Sequence, residues 1–65
     1  MKKKLAICFK KQQQITLTTK DDWIVDVEEV HYHKVFHECQ IIMSDFAKYI
    51  RRRKEEGYSC LIRNK

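Results

Sequence analysis

From Lys4 to Val27 the sequence keeps a two-residue rhythm, and that rhythm commits the first part of the chain to strands. Leu5, Ile7 and Phe9 alternate with Lys4, Ala6, Cys8 and Lys10, while Ile15, Leu17 and Thr19 alternate with Gln14, Thr16 and Thr18. Successive side chains of a strand point to opposite faces, so a period of two marks an extended segment with two distinct sides. The branched residues of the second run favour the same conformation. The polar stretch Lys10–Gln13 predicts a hairpin between the two runs, without the Asn-Gly signal of a tight turn. Asp21-Asp22 predicts the next turn, and Trp23, Val25 and Val27 open a third strand. The outward side of the hairpin is expected to show Lys4, Ala6, Cys8 and Lys10 with Gln14, Thr16 and Thr18.

At Glu28-Glu29 the alternation changes phase, and Val30, Tyr32 and Phe36 take over the apolar side. A bulge or bend does this. Ser44 is expected to cap a helix over about 44–56, with Asp45 in its first turn, where a carboxylate suits the helix dipole. Phe46, Tyr49, Ile50 and Arg53 follow at helical spacing, and Gly57, the only glycine, stands where a left-handed residue ends a helix. Tyr58 to Ile62 reads as a short last strand. The expected fold class is α+β: a small, mostly antiparallel sheet of three to five strands, one helix on one face, and a C-terminal strand. A rival reading makes residues 29–56 one long helix, because Val35, Cys39, Ile42, Phe46 and Tyr49 form a heptad seam. Val30, His31, Tyr32, His33, Val35 and Phe36 are middling or poor helix formers, so strand is preferred up to about residue 38.

A chain of 65 residues is one small domain, and a domain of that size buries only about 60% of its unfolded surface. An elaborate catalytic cleft does not fit in it. Hydrophobic residues at 43% exceed what a disordered tail carries. The apolar run Leu5–Phe9 behind Lys2, Lys3 and Lys4 is too short for a signal peptide or a membrane span. Cys8, Cys39 and Cys60 are odd in number and widely spaced, which suits reduced thiols in a cytoplasmic protein. So small a core also makes a homodimer or a bound partner a reasonable expectation.

Charge is segregated along the chain. Residues 1–20 carry +6, residues 21–47 carry −6, and residues 48–65 carry +5. The first functional reading is a non-enzymatic, nucleic-acid-associated regulator of DNA or RNA that uses Lys2, Lys3, Lys4, Lys10, Lys11, Arg51, Arg52, Arg53 and Lys54. Lys and Arg supply the salt-dependent attraction to phosphate that dominates non-specific binding. The alternative is a modulator of a larger protein, bound through Asp22, Trp23, Asp26, Glu28, Tyr32 and Phe36, since interfaces concentrate aromatic residues. His31, His33, His37 and Cys39 are zinc-ligand types within nine residues, but on a strand His37 lies ~13 Å beyond His33, and on a helix only His33 and His37 share a face. No cofactor is expected. No glycine-rich phosphate loop or nucleophile elbow is present, so catalysis is not expected either.

Overall fold

The computed structural model of the protein describes residues 3–63. Five strands, β1 (Lys4–Lys10), β2 (Gln13–Thr19), β3 (Ile24–His31), β4 (Lys34–Ile42) and β5 (Ser59–Ile62), form one antiparallel sheet in the order β4-β3-β2-β1-β5. A 3₁₀ turn (Met43–Asp45) leads from β4 into helix α1 (Phe46–Glu55), which returns the chain to the far edge of the sheet. The α+β expectation holds, and the long-helix rival does not, because residues 34–42 pair with β3. Among the described residues no helix is long and apolar enough to cross a membrane.

Two-residue loops set the register. Lys11 and Gln12 link β1 to β2, so Lys10 pairs with Gln13 and Cys8 with Ile15. Ala6 and Cys8 therefore share a sheet face with Ile15 and Leu17, and all four are buried. This reverses the expected face of β1: Ile7 and Phe9, not Ala6 and Cys8, accompany Gln14 and Thr16. The reason is parity, since an even loop places odd positions of one strand opposite even positions of the next. Val25 and Val27 of β3 complete the buried side of the sheet. Ile50 of α1 and Tyr58 belong to the same buried cluster, with Met43, Phe46 and Tyr49 packed against it.

The β3–β4 loop is Tyr32-His33, and both residues have positive φ, 53° and 68°. That is the backbone of the primed hairpin turn, whose twist matches that of the strands and which Asn-Gly usually occupies. The phase change read near Glu28 corresponds to a bulge in the β3–β4 register, where Phe36 of β4 has no partner between the pairs Val30–Val35 and Glu29–His37. Ser44 does not cap the helix. It lies in the 3₁₀ turn, and Asp45 precedes α1 without a side-chain capping bond. The other end is as expected: Gly57 has φ 101°, its N–H donates to Lys54 O at 3.0 Å, and the Tyr58 N–H donates to Arg53 O at 3.1 Å. These two bonds satisfy carbonyls that the helix leaves open.

Candidate functional site: the outer face of the sheet

The sheet has two unlike sides. The side holding Ala6, Cys8, Ile15, Leu17, Val25 and Val27 is buried. On the other side no described residue is buried, although every strand contributes to it. Its middle is an open concavity of about 530 Å³ lined by Thr16, Thr18, Asp26, Glu28, Glu38 and Gln40, with Val27 and Cys39. Glu28 and Glu38 stand directly opposite each other across β3 and β4. Like charges in that position repel and destabilise the pairing. One register step away, Gln40 Nε2 donates to Asp26 Oδ1 at 2.9 Å.

Apolar side chains flank these carboxylates along the ladder. Ile7, Phe9 and Leu61 lie toward the β1–β5 edge, with Phe9 43% and Leu61 64% exposed. Ile24 and Ile42 pair at the other end of β3 and β4, and Ile42 is 53% exposed. A single large apolar side chain on a surface is ordinary, but a set around a charged centre on one face is the composition of a contact surface.

The residues of the protein-binding reading do not form one patch. Asp26 and Glu28 lie on this outer face. Asp22 and Trp23 sit in the β2–β3 turn, where Asp21 Oδ1 accepts the N–H groups of Trp23 and Ile24 at 2.8 and 3.0 Å. Trp23 is 73% exposed at that tip. Tyr32 marks the opposite end of β3, and Phe36 stacks on His31 with ring centroids 4.2 Å apart. Glu38 and Gln40, which complete the carboxylate concavity, were not singled out from sequence; the only signal for them was β4 itself.

The basic residues also divide. Lys2 lies outside the described residues. Lys3 and Lys4 are at the start of β1, whereas Lys10 and Lys11 are at its other end, beside the C-terminus of α1. Lys10 is committed to the fold: its Nζ donates to Glu56 O at 3.0 Å and lies 4.8 Å from the centroid of the Tyr58 ring. Arg53 is similarly engaged, with Nη2 3.0 Å from Glu56 Oε2 and its guanidinium 4.9 Å from the Tyr49 ring centroid. Arg51, Arg52 and Lys54 are exposed on α1, as is Lys48.

The histidines do not converge. His31 Nε2 and Glu29 Oε2 are 2.7 Å apart, His33 lies in the loop, and His37 and Cys39 are on β4. No group of three or more His, Cys, Asp or Glu residues able to hold a metal forms among the described residues. Burial raises three groups: the Cys8 thiol, which also bonds with Cys60, the Tyr49 phenol, pushed up to about 12, and the Tyr58 phenol. All three stay protonated in the neutral range and serve packing. Tyr58 Oη donates to Gln13 Oε1 at 2.8 Å. Comparison with protein-family models, curated proteins and solved structures returned no match.

Proposed function

We propose that the protein works by binding, without catalysis, and that its outer sheet face docks on a basic surface of a larger protein. The observation that carries this is the makeup of that face: Asp26, Glu28 and Glu38 clustered on rigid strands, flanked by exposed Phe9, Leu61 and Ile42. This reading takes α1 to cover the opposite face, because Ile50 shares the buried cluster with the inward residues of β1, β2 and β3. The molecule extends 31 × 23 × 18 Å. Its broad side thus offers on the order of 700 Å², near the ~800 Å² per partner of a standard interface. Retaining a Glu28–Glu38 repulsion inside a ladder is costly to the fold and useful to a surface that meets cations. The protein is taken to act in the cytoplasm, as a monomer or as a homodimer that leaves this face free.

The test compares three full-length proteins as bait in lysate of the cells that make it: wild type, Glu28→Lys with Glu38→Lys, and Arg51→Ala with Arg52→Ala. The expected result is one protein retained by the wild type and by the arginine variant and lost by the glutamate variant. Retention that ignores the glutamate reversal overturns the assignment of the face.

A second reading has its own observation. Lys48, Arg51, Arg52 and Lys54 are exposed on one short helix, and together they could neutralise phosphates of DNA or RNA. The hairpin offers nucleic acid less than the helix does, because Ala6 and Cys8 face inward and Lys10 is engaged at the helix end. Anisotropy with labelled duplex DNA, single strands and RNA, titrated with salt, tests the helix surface. Strong binding with a steep salt slope that Arg51→Ala with Arg52→Ala flattens would place nucleic acid ahead of a protein partner.

A further inference from the structure

We propose that Cys8 and Cys60 form a reversible disulfide that fastens the edge strand β5 to β1 when the protein meets a low-molecular-weight disulfide such as oxidised glutathione. The two residues are direct partners in the β1–β5 ladder, and their Sγ atoms lie 2.6 Å apart. Carbon atoms in ordinary van der Waals contact settle at roughly 3.5–4.0 Å, the larger sulfurs sit no closer without a bond or hydrogen bond, and a disulfide closes the pair to about 2.05 Å. The fold thus already holds both sulfurs within a short displacement of bonding. Cys8 is fully buried, while Cys60 is half-buried. β5 has four residues and a neighbour on one side only, so a small reagent reaches Cys60 first. The third thiol, Cys39, is on the other edge strand opposite Val27 and has no such partner.

The chemistry balances as two thiol–disulfide exchanges. The Cys60 thiolate attacks one sulfur of the reagent disulfide, breaking its S–S bond, forming a mixed disulfide and expelling one glutathione thiolate. That thiolate, or solvent, takes the Cys8 proton. Cys8 sulfur then attacks Cys60 sulfur and displaces the second glutathione. Two protein thiols lose two electrons and two protons, and the reagent disulfide becomes two thiols. Burial keeps Cys8 protonated and so slows the second exchange, but the distance between the sulfurs favours it over release of the mixed disulfide. The new bond joins positions 52 apart in sequence and encloses β2, β3, β4 and α1. Restricting the unfolded chain over so long a loop raises the melting temperature of a domain this small by about 10 °C or more.

The experiment uses the full chain with Cys39→Ser, reduced and then exposed to oxidised glutathione, quenched by alkylation, and read by intact mass, peptide mapping and thermal melting. The proposal expects a monomer that has lost two alkylatable thiols and retains no glutathione. A Cys8–Cys60 linked peptide and a raised melting temperature that falls back on reduction complete the expected result. A glutathione adduct that persists, two thiols that remain alkylatable, or a link between chains would overturn it. The Cys60→Ser variant in the same background leaves the buried Cys8 in place. A melting-temperature rise on oxidation of that variant would also overturn the proposal.

Discussion

Replacing Glu38 by Lys turns the repulsion at the centre of the outer face into an attraction, and it separates stability from binding. Glu38 pairs directly with Glu28 in the β3–β4 ladder, and both are exposed. Cross-strand pairs of this kind contribute about 0.2–1 kcal/mol, with the sign set by charge. Removing one unfavourable pair and adding one favourable pair therefore changes stability by about 0.5–1 kcal/mol once solvent screening is included. In a domain of this size that is a rise of about 3–6 °C in melting temperature. The gain shrinks with added salt, because the screening length falls from about 10 Å at 0.1 M to about 3 Å at 1 M, shorter than the separation of a directly opposed pair. Urea melts at low and high salt are the assay, and they should show a higher midpoint with an unchanged slope. Under the proposed docking of the outer face on a basic protein surface, the same variant is expected to lose binding. A substitution that strengthens the fold while removing binding cannot act by unfolding the protein. If Glu38→Lys leaves stability unchanged or lowers it at low salt, the two carboxylates do not oppose each other as argued.

Tyr32→Asn with His33→Gly relieves two left-handed residues that each cost about 1–2 kcal/mol; part of the gain is returned through the freer unfolded glycine, leaving about 1 kcal/mol of stabilisation in denaturant melts. Ile50→Ala removes the most buried side chain of α1, 3% exposed, and lowers stability by about 2–5 kcal/mol; an unchanged urea midpoint would show that α1 does not anchor to the sheet. Gly57→Ala places a side chain at φ 101° with its Cβ 3.4 Å from Lys10 Cδ, costing about 1–2 kcal/mol. Cys8, Tyr49 and Tyr58 all have raised values in the fold, from ordinary values of 9.0 for the thiol and 10.0 for the phenols. Above about pH 9 the unfolded chain binds fewer protons than the folded one, so stability is level up to pH 9 and falls as pH rises toward 12; thermal melts at stepped alkaline pH check this.

Much of the fold was legible because its signals are local. The alternation from Leu5 to Leu17 marks β1 and β2, and Gly57 marks the end of α1 whatever the rest of the chain does. What escaped depended on pairing. Which side of β1 faces inward follows from loop parity, and the side with the larger residues, Ile7 and Phe9, proved to be the outer one. Tyr32-His33 carries only a weak turn signal, since His enters the left-handed region more readily than most residues but Tyr does not, and neither matches Gly. Lys10 looked like a free cation because its partner, Glu56 O, is 46 positions away. The candidate site was half visible: Asp26 and Glu28 could be named from the acidic middle of the chain, but Glu38 and Gln40 join them only once β4 is known to pair with β3 in this register.

The most direct test of the outer face is site-specific photo-crosslinking in living cells, with a photoreactive residue at the exposed Gln14 of β2 or at Arg51 on α1. The account predicts a discrete protein adduct from position 14 that disappears when Glu28→Lys and Glu38→Lys are added, and none of comparable yield from position 51. Adducts from position 51 alone, or a position-14 adduct indifferent to the glutamates, would contradict it.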